Sequence, residues 1–246
     1  MTDLATTCPL GRVSRHELQE RIDARTPGDL IYLQGADLAG VSLKGMLLEG
    51  LVFGSHSTEP ERSVAGLSAT SFLECKLVKC QFAHVECVNT YFRGARIVDC
   101  DFRYAAFTGG SFAEAHLVDC DFYRAAFDGG VVFEKTVIKR VSLHQASLGG
   151  ILGLRSENFN GKDAPALVQE DEDRHTTLVE RTSGDRPTSA DDALEASPQE
   201  QAELTYRALS GLWSGQGIFA DAAWAYVKAK RLERQSAWRS TSRCAG

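Results

Sequence analysis

A mainly β solenoid, coiled so that each turn has four sides of five residues, is the fold class this sequence predicts. Three observations lead there. Every fifth residue from Leu33 to Leu148 is a large apolar side chain, apart from one loop and one single-residue insertion. The chain also repeats itself twenty residues on: Ile97-Val98-Asp99-Cys100-Asp101-Phe102-Arg103-Tyr104-Ala105-Ala106-Phe107 is echoed by Leu117-Val118-Asp119-Cys120-Asp121-Phe122-Tyr123-Arg124-Ala125-Ala126-Phe127. Two positions before most rungs the residue is compact, as at Ala36, Thr70, Cys80, Cys100, Ala105 and Cys120. A fixed period signals stacked repeats. A period of five suits neither a helix nor a half-buried strand. Large and small inward side chains in alternation fill a narrow core.

The elements follow in order. Residues 1–30 read as a capping segment. Ser14-Arg15-His16-Glu17 is a capping box, Leu18 and Ile22 share a helix face, and Thr26-Pro27-Gly28-Asp29 ends the helix. Such a helix covers the unpaired backbone that the first coil would otherwise expose. Residues 31–155 are the coil, with a polar loop at 54–66 and one inserted residue near Gly129-Gly130. Residues 156–196 have no periodicity. Their composition, with Glu170-Asp171-Glu172-Asp173, predicts an acidic, disordered tether. Residues 197–246 predict a helical hairpin. Ser197, Pro198 and Glu200 start it, Leu204, Leu209, Leu212 and Trp213 form one stripe, and Gly215-Gln216-Gly217 breaks it before a second helix from Phe219 to about Trp238.

Gly35-Ala36-Asp37-Leu38-Ala39-Gly40 resembles the Ala-(Asp/Asn)-Leu-x-x motif of the pentapeptide-repeat family, and Cys100-Asp101-Phe102 and Cys120-Asp121-Phe122 follow it with Cys for Ala. The resemblance implies a right-handed quadrilateral β-helix and a protein that is not an enzyme. The spacing Tyr206, Leu209, Trp213, Phe219, Ala222, Tyr226, Ala229 resembles one tetratricopeptide unit. The pairing of repeats and hairpin is similar to that of bacterial proteins in which a membrane channel domain follows.

Charge is unevenly placed. The coil carries twelve basic and thirteen acidic residues, the segment 156–196 four against eleven, and the last fifty residues seven against four. No apolar run is long enough to span a membrane, the start lacks a signal-peptide pattern, and seven cysteines, an odd number, predict free thiols. The expected compartment is the cytoplasm.

Candidate sites lie on the coil. Asp99 and Asp119 stack outside the family motif, and like the stacked Asp101 and Asp121 they need an offsetting group: Arg103, Arg124, a cation or a partner's basic side chain. Asp101 and Asp121 stack where the motif places Asp. Tyr91, Tyr104 and Tyr123 are expected outward beside Arg93, Arg96, Arg103 and Arg124, residue types that interfaces favour. Cys80, Cys100 and Cys120 form a linear column, which suits a packed core better than a tetrahedral metal site. His84, His116 and His144 share no partner that would orient a base. No phosphate loop or nucleophile elbow is present. No catalytic, metal or cofactor site is expected.

These readings converge on a non-enzymatic interaction scaffold for an unknown protein partner, with Asp99, Asp119, Tyr104, Arg124, Arg103 and Tyr123 as its candidate surface. The alternative comes from a subgroup of the resembled family that mimics duplex DNA and protects type II topoisomerases from quinolone-like poisons, which would make DNA gyrase the partner. The near-neutral coil weighs against it, since a mimic presents a continuous acidic face. Direct nucleic-acid binding is not expected. Lys228 to Arg243, with six basic residues and one acid, offers a weaker contact with an anionic membrane surface.

Overall fold

The computed structural model describes residues 11–54, 64–159 and 198–243. It divides into two compact units, Met1–Leu154 and Arg155–Gly246.

The first unit is a parallel β solenoid. Its short strands are β1 (Ile31–Tyr32), β2 (Leu47–Glu49), β3 (Leu51–Val52), β4 (Lys76–Val78), β5 (Glu86–Val88), β6 (Arg96–Val98), β7 (Ala106–Thr108), β8 (His116–Val118), β9 (Ala126–Asp128), β10 (Val131–Val132), β11 (Val137–Lys139) and β12 (Ile151–Leu152). One side is the sheet β11-β8-β6-β4-β2, and another is β5-β7-β9. The other two sides are held by single bridges, Gln81 to Asp101 to Asp121 to Ser142 and Ser71 to Tyr91 to Ser111 to Val132. Register follows the repeat: Leu77 pairs with Ile97 and Ile97 with Leu117. Across Gly129-Gly130 the partner of Leu117 is Ile138, one residue later than the repeat alone gives. Of the loop 54–66, residues 55–63 lie outside the described residues. Ala65 and Gly66 are already back in the coil, with Gly66 bridged to Asp37.

The ladder is the core. Phe53, Phe82, Phe102 and Phe122 stack at 4.5, 4.7 and 4.7 Å between centroids. Phe72, Phe92, Phe112 and Phe133 stack beside them at 4.9, 4.7 and 5.0 Å. The two columns meet edge to face, the arrangement that aromatic quadrupoles favour. The compact position does more than fill space. Thr70 Oγ1 donates to Leu38 O (2.8 Å), Cys75 Sγ to Leu43 O (2.9 Å) and Cys80 Sγ to Leu48 O (3.3 Å), each reaching the preceding coil. Cysteine replaces alanine where a weak donor can satisfy a buried carbonyl.

Two positions after most rungs the chain turns a corner in the left-handed region. Among the described residues, thirteen non-glycine positions have φ between 49° and 62°, including Asp99, Tyr104, Asp119 and Arg124. Each costs up to about 1–2 kcal/mol, less for Asp. Asp99→Gly should therefore raise stability by about 0.5–1 kcal/mol in urea denaturation, the gain from relieved strain being reduced by the extra freedom of the unfolded glycine. A loss of stability would show that the Asp99 carboxylate itself supports the fold.

Helix α1 (Arg15–Asp23) has the expected capping box: Glu17 N–H donates to Ser14 Oγ (3.2 Å), and Ser14 N–H to Glu17 Oε2 (2.8 Å). It buries Leu18 fully. Arg25, just beyond it, donates to Glu49 O, and Arg15 reaches Ser42 O at 3.5 Å. Arginines thus cover carbonyls of the first coil's edge.

In the second unit α2 (Pro198–Gly215) and α3 (Phe219–Arg243) form the hairpin. Gly217 (φ 75°) closes α2: Ile218 N–H donates to Trp213 O (2.8 Å) and Gly217 N–H to Ser214 O (3.1 Å), a pairing that needs a left-handed residue at the bend. Tyr206, Leu209, Trp213, Ala222, Ala225 and Ala229 are buried. The expected stripe is only partly right, because Leu204, Phe219 and Tyr226 are exposed. The tetratricopeptide resemblance accordingly reduces to two packed helices. The expected N-cap Ser197 and residues 160–196 of the expected tether lie outside the described residues. Its first four, Ser156–Phe159, form a 3-10 turn that packs on α3, with Phe159 stacked on Trp224 at 6.1 Å and Ser156 Oγ donating to Asp221 (2.5 Å). Among the described residues, no helix is long and apolar enough to cross a membrane.

Candidate interaction surface

Stacking places the candidate residues on two sides of the coil. On the first, three columns run side by side: Gln81, Asp101, Asp121, Ser142; then Ala83, Arg103, Tyr123, His144; then His84, Tyr104, Arg124, Gln145. Asp101 is buried and chelated by Arg103 through Nε–Oδ1 (3.0 Å) and Nη2–Oδ2 (2.8 Å). Each motif aspartate also caps its own strand: Asp37, Asp101 and Asp121 all accept the N–H two residues on, at 2.9 Å. That local bond is a physical reason for Asp at this place in the motif.

Beside the acids lies an aromatic ladder. His84 stacks on Tyr104 (4.7 Å, 3°), Tyr104 meets Tyr123 edge on (5.6 Å), and Tyr123 stacks on His144 (5.8 Å). The Arg124 guanidinium lies 5.0 Å from the Tyr123 ring centre and 5.9 Å from that of Tyr104, and its Nε donates to Gln145 (2.6 Å). Tyr123 is nearly covered, at 9% exposure, contrary to the outward placement expected for it. Tyr91 is exposed but lies on another side, between Ser71 and Ser111.

Asp99 and Asp119 lie at a corner beside the five-stranded sheet. Of the offsetting arginines that sequence suggested, Arg103 engages Asp101 rather than this pair. Arg140, one coil beyond Asp119, forms a bidentate pair with it. Lys79 occupies the same corner one coil before Asp99. The column therefore reads plus, minus, minus, plus. Other acids on the coil are matched in the same way, Glu114 by Arg93 (3.0 Å) and Glu74 by Lys44 (3.4 Å). Sequence reasoning missed Arg140, and it weighed His84 and His144 only as catalytic bases rather than as part of this surface. It named Arg96 and His116 but missed that they form one row with Lys76, although the spacing of twenty was a readable signal.

Burial, with the negative charge of Asp101 one coil away, pushes the Asp121 carboxyl up to about 6. An unfolded Asp titrates near 3.9, so the folded chain holds this proton more tightly. The associated stability is full below about pH 4 and is lost as the pH rises towards 6. Two pH units correspond to roughly 2–3 kcal/mol. Asp121→Asn keeps an acceptor for Tyr123 N–H and should be more stable than the parent by roughly 2 kcal/mol above pH 6. Urea denaturation between pH 4 and 7 measures this. Equal slopes for parent and variant would contradict it.

The described cysteines, Cys75, Cys80, Cys87, Cys100 and Cys120, are all free and buried. Burial pushes the Cys87 and Cys120 thiols up to about 12, and raises Cys100 and Cys75 as well. These are packing groups rather than nucleophiles. Among the described residues, no three His, Cys, Asp or Glu side chains converge as a metal site would require.

Comparison with known proteins matches part of the coil to a family model. Residues 75–112 and 95–130 match the family model described as Pentapeptide repeats, in eight copies. No curated protein matches the chain. Among solved structures, the pentapeptide repeat protein Rfr23 of the cyanobacterium Cyanothece 51142 is 18% identical over 47% of this chain and 85% of its own, with a TM-score of 0.29. QnrB1, a plasmid-mediated fluoroquinolone resistance protein, is 14% identical over 70% of this chain and 93% of its own, with a TM-score of 0.29. A pentapeptide repeat protein of the Arabidopsis thaliana thylakoid lumen is 15% identical over 56% and 84%, also at 0.29.

Proposed function

Taking as premise that this is a pentapeptide-repeat protein, we propose that it is a non-enzymatic, cytoplasmic scaffold that holds a protein partner against its coil. The supporting observation is the His84–Tyr104–Arg124 ladder, fixed in place by stacking and by the left-handed corners. Rings and guanidinium groups that are already ordered lose little freedom on binding, so more of their contact energy appears as affinity. Asp101, Asp119, Glu114 and Glu74 are each engaged by a cation of the same chain. That weighs against a DNA mimic directed at gyrase, whose acids must face the partner unpaired. Membrane contact through the basic part of α3 is not part of this reading.

Affinity capture with the full chain in its native host tests the proposal. A stoichiometric partner that is lost with Tyr104→Ala/Arg124→Ala is the expected result. Failure to retain any stoichiometric partner would overturn it.

A further inference from the structure

The largest sheet carries a second surface, and its chemistry differs from the ladder. Strands β4, β6 and β8 pair in register, so Lys76 lies beside Arg96 and Arg96 beside His116. All three side chains are exposed, and among the described residues none has an ion pair or a side-chain hydrogen bond. The same three strands place Val78, Val98 and Val118 in a second row on this outward side, half-buried and also in register. Leu47, 54% exposed, and Val137 extend the cation row at its two ends.

Like charges directly opposite one another in a sheet are destabilising. Several ionic groups elsewhere on the coil carry a counter-ion: Asp119 takes Arg140, Asp101 takes Arg103, and Arg93 takes Glu114. Among the described residues the row Lys76–Arg96–His116 is uncompensated, and it runs beside apolar side chains. We propose that this face binds an acidic amphipathic helix of a partner protein, laid along the coil axis. The proposal rests on the scaffold reading and adds a second surface to it.

Dimensions favour a helix. Its side chains recur on one face about every 5.4 Å, and the cations recur with the coils at about 4.8 Å. The mismatch of about 0.6 Å per rung is within the reach of flexible Lys and Arg stems. An extended strand presents same-side residues about 6.7 Å apart, which loses register within three rungs. A second copy of this face would set cations against cations. Nucleic acid would leave the valine row facing phosphate and sugar.

The test uses the full chain and a labelled synthetic helix with Glu at i, i+4 and i+7 beside a Leu/Val row, read by fluorescence anisotropy. The patterned peptide should bind at least about tenfold more tightly than its scrambled form, and Lys76→Glu/Arg96→Glu should abolish that advantage. A peptide with Lys at the three Glu positions should restore binding to the reversed variant. Lys76→Gln/Arg96→Gln serves if the reversed variant melts early. Equal binding of the scrambled peptide, tighter binding of an oligonucleotide, or no effect of the substitutions would overturn the proposal. If the peptide arms fail while the parent still captures its host partner through Tyr104 and Arg124, this face is wrong and the scaffold stands; if the parent captures none, the scaffold itself fails.

Discussion

Phe102→Ala should destabilise the coil by about 3–5 kcal/mol. The ring has no exposed surface, and it stacks on Phe82 and Phe122 at 4.7 Å each. Phe92 and Phe112 contact it edge on at 6.1 and 6.3 Å. A solenoid interior cannot easily collapse around the vacancy, because coil spacing is held by the ladder hydrogen bonds on each side. The cavity term therefore adds to the lost transfer energy instead of relaxing away. Urea denaturation measures the loss. A value below about 1 kcal/mol would mean that the column does not act as one core.

Arg103→Ala should cost about 3 kcal/mol at pH 7, because it leaves buried carboxylates without their cation. Asp101 is 5% exposed and bonded to Arg103 through both oxygens. Asp121, already pushed up to about 6, lies in the next coil and also feels this cation. Removing the arginine should raise the Asp121 carboxyl further above its unfolded-chain value, since Arg103 partly holds it down. Protonation then relieves the folded variant, so the gap from the parent should narrow as the pH falls towards 4.5. A cost that does not change with pH would show that Arg103 acts through packing alone.

The coil was legible because its structural period is also its sequence period. Phe82, Phe102 and Phe122 are twenty residues apart and stack in space, so counting residues amounts to locating them. Charge pairing was less legible. Arg103 does engage Asp101, its neighbour in sequence, but the cation of Asp119 comes from one coil away. The residue inserted at Gly129-Gly130 then shifts the partner of Asp119 to Arg140. Tyr123 was expected outward because its position faces out, and His144 in the next coil covers one side of its ring. The corners were hidden for a different reason: thirteen residue positions of many types adopt positive φ, so no composition marks them. On the hairpin, spacing carried across the Gly217 turn put Phe219 in the buried stripe, but the turn resets the helical phase and leaves the ring 73% exposed.

The scaffold is separated most directly from the DNA mimic by gyrase supercoiling in the presence of a fluoroquinolone, with and without a molar excess of the full chain. Because the coil's acids at Asp101, Asp119, Glu114 and Glu74 are engaged by its own cations, the drug concentration that halves supercoiling should not change. A rise of about tenfold or more, equivalent to about 1.4 kcal/mol of protection, would contradict the scaffold and make gyrase the partner.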